Sequence, residues 1–139
     1  MGQSAFVTLV EGSSSAEISL DEVRELLLQY REQAALTGQQ LGWDYAEAAF
    51  PYTIETKPDG EGIWFYLKGK NSLYKYIVVG TGTSQEESSV YRHIQIVLPS
   101  DATHGDKAKA NELCKYLGRK LKARLQLFNG RIMYFNPRK

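Results

Sequence analysis

An apolar stripe that covers one side of a helix has to be laid against something, and two segments of this chain carry such a stripe. The first opens at Ser19, which forms a capping box with Glu22, while Ile18 and Val23 are placed as a hydrophobic staple. Its inner side is Val23, Leu26, Leu27, Tyr30 and Ala34, and Gly38 is the natural stop. The second follows a break over residues 99–106 and sets Ala110, Leu113, Cys114, Leu117 and Leu121 on one side. Gly118 lies within it and weakens it by about 1 kcal/mol relative to Ala.

Between and around these helices the pattern is that of strands. Residues 4–10 read as a first strand, because Phe6, Val7, Thr8, Leu9 and Val10 are β-branched or bulky and the run ends at Glu11-Gly12. Residues 52–57, 63–68 and 73–79 read as a three-stranded meander, with turns at 58–62 and 69–72. A polar, mobile loop is expected over 81–89. A strand over 90–98 then sets Val90, Ile94, Ile96 and Leu98 against Tyr91, His93 and Gln95. The chain ends in a hairpin about Asn129-Gly130, read as a type I′ turn, in which Leu127 faces Ile132 and Leu125 faces Tyr134. The other side of that hairpin would hold Arg124, Gln126, Phe128, Arg131, Met133 and Phe135. One further helical turn is expected over 43–50, with Asp44 as its cap. The sum is an α+β fold of two layers, a mainly antiparallel β-sheet with two helices packed on one face. At 139 residues it makes a single domain, 1–139.

Composition removes whole classes of function. A chain that is 42% hydrophobic and 24% charged is an ordinary globular one, and no apolar run approaches the roughly 20 residues of a membrane helix. Cys114 is the lone cysteine, so no internal disulfide forms. With no secretory signal at the N-terminus, a reducing, cytoplasmic setting is expected. The net charge of +1 conceals a strong polarity: residues 1–100 hold 7 Lys and Arg against 13 Asp and Glu, and residues 101–139 hold 10 against 3.

Three runs carry a resemblance: Trp43-Asp44-Tyr45-Ala46-Glu47-Ala48-Ala49-Phe50-Pro51-Tyr52, Ala102-Thr103-His104-Gly105-Asp106-Lys107, and Leu127-Phe128-Asn129-Gly130-Arg131-Ile132-Met133-Tyr134-Phe135. With the length, they resemble a family of small cytosolic proteins from Bacillus-type bacteria, one of the domain-of-unknown-function families. The resemblance implies a bacterial, single-domain protein and transfers no site residues. It also brings a peptidyl-prolyl isomerase label attached to some members.

The feature to follow is a basic helix. Lys115, Arg119 and Lys122 recur opposite the apolar stripe, with Lys107, Lys109 and Lys120 beside them and Arg124 and Arg131 in the hairpin beyond. Like charges one turn apart repel by a few tenths of a kcal/mol, on the order of 0.2–0.5 per pair. The arrangement is either a solvated face balanced by the acidic half of the same chain, or a surface for an acidic protein or nucleic acid. Tyr116, Phe128 and Phe135 stand near enough to stack on single-stranded bases. No RNA-recognition or zinc-finger motif accompanies them.

Two further constellations compete with blander readings. His104, Gly105 and Lys107 open the second helix, where free N–H groups favour an anion, although Thr103 or Asp106 capping the helix accounts for the same residues. Trp64, Tyr66, Tyr74, Tyr76 and Tyr91 give the strands an aromatic face, suited to cross-strand packing or to an extended, proline-containing peptide. The glycines of Gly80-Thr81-Gly82 match no phosphate loop, Cys114 reads as core, and no spacing suggests a metal or a cofactor. The expectation is therefore a binding module that contacts an acidic partner through its basic C-terminal helix and hairpin. The alternatives are a prolyl isomerase-like enzyme using the aromatic face, or a homo-oligomer whose acidic and basic parts meet.

Overall fold

The computed structural model describes residues 3–15, 17–41, 50–56, 63–86 and 88–135, with the side chains of residues 38–41 outside that description. Along the chain run β1 (Gln3–Thr8), α1 (Leu20–Leu41), β2 (Tyr52–Glu55), β3 (Trp64–Gly69), β4 (Tyr76–Glu86), β5 (Ser89–Leu98), α2 (His104–Leu121), β6 (Arg124–Gln126) and β7 (Ile132–Tyr134). The strands form one sheet in the order β2-β3-β4-β5-β1-β6-β7, every neighbouring pair antiparallel. This is the α+β fold of sheet and helices that the two stripes required.

The strand period of two sorts residues between the faces. Phe65 pairs with Val79, Val79 with Ile96, Ile96 with Ala5, and Val7 with Leu125; all are buried. Onto this face α2 lays Ala110, Leu113, Cys114, Leu117 and Leu121, and α1 lays Val23, Leu27 and Ala34, with Leu26 and Tyr30 half-buried at the edge. Each large side chain taken fully out of water contributes roughly 1.5–3 kcal/mol. The start of α1 follows its sequence: Glu22 N–H donates to Ser19 Oγ, and Ser19 N–H to the Glu22 carboxylate, both at 3.1 Å.

Four expectations are corrected. The helix does not stop at Gly38 but runs to Leu41, because Gln39, Gln40 and Leu41 are good helix formers. Residues 81–86 are not a mobile loop. They extend β4, pairing Thr81 with Ile94 through to Glu86 with Ser89, so the connection shrinks to residues 87–88. Their side chains are half-buried or exposed, and Val90, expected in the core, is 65% exposed.

The C-terminal hairpin is shifted by one residue from its expected register: Leu125 pairs with Met133 and Gln126 with Ile132. Gly130 N–H donates to Leu127 O at 2.9 Å, Leu127 N–H donates to Arg131 O at 2.8 Å, and only Gly130 has a positive φ, of 88°. These contacts describe a three-residue loop, a type I turn closed by a glycine bulge, in place of the two-residue type I′ turn. A one-residue slip turns every side chain of the strand over. Ile132 and Tyr134 therefore share the outer face with Arg124 and Gln126. The expected helical turn at 43–50 lies outside the described residues except for Phe50, which is buried, and so do residues 58–62 of the expected turn.

Gly118 has a packing reason. A Cβ there would stand 2.8 Å from the Phe135 ring, so the glycine lets β7's end lie against the backbone of α2.

Candidate functional site

Helix α2 is held at both ends. Thr103 caps its start, accepting from Asp106 N–H at 3.0 Å while the Asp106 carboxylate accepts from Thr103 N–H at 3.1 Å. Lys122 closes its end in the left-handed conformation, φ 51°, and Ser13 Oγ donates to the Lys122 carbonyl at 3.0 Å.

Between these ends the cations divide. Lys109 turns inward, is 8% exposed, reaches Glu112 at 2.9 Å and lies 5.9 Å from the centre of the Tyr30 ring. Burial alone would raise the Glu112 pKa, but hydrogen bonds from Tyr30 and Lys109 outweigh it and hold the carboxyl below its usual range. Lys107, Arg119, Lys120 and Lys122 are exposed and Lys115 half-buried. Among the described residues none of these five has a carboxylate partner. No described carboxylate of the acidic half pairs with them; Glu22, for one, is spent on the cap of its own helix.

Lys115 and Arg119 thus lie one turn apart on α2, Lys122 sits at its left-handed cap and not at the helical position expected, and Arg131 is exposed at the residue that closes the hairpin turn. Arg124 is not with them. It lies on the opposite sheet face in a two-point ion pair with Glu86. The bond to Arg124 holds the Glu86 carboxyl below its usual range, and the same bond raises Arg124.

Beside Lys115 a groove of about 300 Å³ runs between α2 and the hairpin, lined by Gln3, Asn111, Lys115, Leu127, Phe128 and Asn129. Of the three aromatics expected near the basic helix, Phe128 is the one that lines it. Tyr116 packs edge-on against Tyr30, and Phe135 lies beneath Arg119, whose guanidinium is 5.9 Å from the ring centre.

The start of α2 is occupied by its own chain. The Asp106 carboxylate, fully buried, also accepts from the Tyr52 hydroxyl at 2.6 Å and from Lys75 N–H at 3.1 Å. Burial, and then the bond to Asp106, push Tyr52 well above the ordinary phenol range. Thr103 Oγ1 donates to Leu73 O at 2.6 Å, and a Cβ on Gly105 would stand 2.7 Å from that same oxygen. His104 and Lys107 are exposed on either side of this seal.

The aromatic set divides as well. Trp64, Tyr66 and Tyr76 occupy the sheet face that the helices leave open, Tyr66 and Tyr76 meeting edge-on at 6.5 Å. Trp64 borders a mostly apolar cleft of about 300 Å³ with Ile63, Val78 and Val97. Tyr74 instead packs on Tyr52, ring centres 5.4 Å apart, and Tyr91 sits at the far end of the open face beside Glu86, Arg124 and Tyr134.

Sequence reasoning missed one polar pair on that face. Ser84 Oγ lies 2.6 Å from Nδ1 of His93, which is 8% exposed and packs edge-on against Phe6 at 5.2 Å. Burial, and then the charge of Arg92, lower the His93 pKa from its ordinary value. Reading residues 81–86 as strand would have set Gly82 opposite His93 and Ser84 two residue pairs along, on the same face. Among the described residues no three metal-ligating side chains converge, and no helix is long and apolar enough to cross a membrane.

A family model described as "Domain of unknown function (DUF1885)" matches residues 3–137. A crystal structure described as that of a protein of unknown function from Bacillus stearothermophilus is similar, with 38% identity over 88% of this chain and 93% of that one, and a TM-score of 0.57. No curated protein matches. With the family model spanning the described helices and strands, the chain belongs to the DUF1885 family.

Proposed function

We propose that the protein is a cytoplasmic, non-catalytic binding module, a single α+β domain that meets a polyanionic partner through the outer side of α2. One observation carries this reading. Lys107, Lys115, Arg119, Lys120 and Lys122 line one helix without a carboxylate partner among the described residues. Like charges one turn apart repel, and a face that served only internal balance would be met by the acidic half of the chain. Arg131 extends the surface at the hairpin, and Arg124, committed to Glu86 on the other face, takes no part. The lone thiol, Cys114, is fully buried and its pKa pushed up to about 12 by burial, so it is an unreactive core residue.

The test is retention on immobilised heparin, for the protein and for Lys115→Glu/Arg119→Glu/Lys122→Glu. Retention at low salt that the triple variant loses supports the reading. Equal elution of the two proteins contradicts it.

The cleft beside Trp64 favours a second reading, a prolyl isomerase-like site on the open sheet face. Its apolar walls suit a proline ring, and isomerisation needs such a surface more than an acid or base. Accelerated cis–trans exchange in a proline peptide, lost in Trp64→Ala, would support it; exchange at the uncatalysed rate would remove it.

A further inference from the structure

We infer that the groove beside Lys115 seats one base of a single-stranded nucleic acid whose phosphates run along α2; this rests on the polyanion reading above and names its partner. A surface for any polyanion needs only cations. Here the cations border a recess with a different chemistry. Gln3, Asn111 and Asn129 line it together with Phe128 and Lys115, so amide, aromatic and cationic residues border one recess. An amide offers a donor pair and an acceptor, the complement of a base edge, and a ring offers a stacking surface that every base can use.

The amides are available. The Asn129 carbonyl oxygen accepts from Arg131 N–H at 3.0 Å, which leaves its NH₂ free to donate, and Gln3 and Asn111 make no side-chain bond among the described residues. Asn111, Lys115 and Arg119 follow one another at single helical turns, roughly 6 Å apart along the axis. A base in the recess therefore has a cation beside it and another one turn further along the strand.

The volume also selects. About 300 Å³ stands at the lower end of the range for small-molecule sites, which run to roughly 1,000 Å³. That is room for one nucleobase and its sugar. A base inside a duplex has both faces stacked and cannot enter, so the strand is single. An acidic protein segment would satisfy Lys115 and Arg119 but would leave the ring and the amides without a role.

The experiment compares two labelled strands of equal length and charge, a 12-residue oligothymidylate and its fully abasic counterpart, by fluorescence anisotropy at fixed moderate salt. The protein is used whole, beside Asn111→Leu and Phe128→Leu. The expected result is that the base-bearing strand binds about 5- to 100-fold more tightly than the abasic one, the span expected for base stacking. Asn111→Leu, which removes one amide from the recess at a helical position, should erase most of that ratio. Phe128→Leu should do the same; Asn111→Leu decides if it fails to fold. Equal binding of the two strands to the native protein, or a ratio that survives Asn111→Leu, overturns the inference and leaves the polyanion surface standing. Binding of neither strand at low salt overturns both.

Discussion

Arg119 and Arg124 lie on opposite sides of the sheet. Arg119 stands over the Phe135 ring in the helix layer, and Arg124 is clamped to Glu86 on the face the helices leave open. The left-handed residue Lys122 turns the chain between them, so that β6 leaves α2 and enters the sheet with Arg124 directed away from it. Proximity in sequence joins the two arginines into one basic patch, and the strand period separates them.

Arg124→Gln should therefore leave binding to nucleic acid or heparin within about twofold of the native protein. Its effect belongs to stability: a half-exposed two-point pair contributes about 0.5–1 kcal/mol after screening by solvent. Urea unfolding of Arg124→Gln, Glu86→Gln and the double variant measures the coupling between the two groups.

Tyr52→Phe removes the hydroxyl that donates to the buried Asp106 carboxylate. A hydrogen bond to a charged group is worth about 1.5–3 kcal/mol, and that loss should appear in denaturant unfolding. Asp106→Ala should cost more, about 3 kcal/mol or above, since it strips the cap of α2 and leaves Lys75 N–H and the Tyr52 hydroxyl unmatched together.

Gly118→Ala and Lys122→Gly should move stability in opposite directions. Alanine is the better helix former, but its Cβ would meet the Phe135 ring at 2.8 Å, so a loss of about 1–3 kcal/mol from overpacking is expected. Glycine at 122 relieves a left-handed backbone at a helix end and should gain about 1 kcal/mol. Thermal unfolding of both variants checks the pair.

Stability should fall on acidification through His93. Its pKa is lowered in the folded chain and ordinary in the unfolded one, so below about 6.5 the unfolded state binds the proton first. The contribution is complete above that value and is lost progressively as the pH drops toward the folded pKa. Unfolding free energies measured at several pH values between about 7 and 5 should lose this slope in His93→Gln.

Much of the fold is legible in local pattern because amphipathic stripes and caps act over a few residues. Ser19 with Glu22, and Thr103 with Asp106, announce both helices, and the stripes through Leu27 and Leu117 state which side is buried. What escaped the sequence depends on distant neighbours. Residues 81–86 look like a loop because their side chains are polar, and only pairing with residues 89–94 makes them strand. The hairpin register turns on whether Asn129 joins Gly130 in a positive φ, a choice that moves Tyr134 from the side of Leu125 to the open face. At the site, Lys115 and Arg119 follow from helical spacing, whereas Lys122 lies past the last helical residue, in the left-handed cap. The groove around Phe128 and the removal of Arg124 follow from how α2 and the hairpin pack.

The most direct test of the central claim is the salt dependence of binding to a single-stranded oligonucleotide, for the native protein and for Lys115→Glu/Arg119→Glu/Lys122→Glu. Three phosphate contacts should give the native protein a slope of about −2 in log affinity against log salt, at roughly −0.7 per contact, and the triple variant should show no measurable binding. An affinity indifferent to salt, or a triple variant that binds with the native slope, would contradict the assignment of α2 as the working surface.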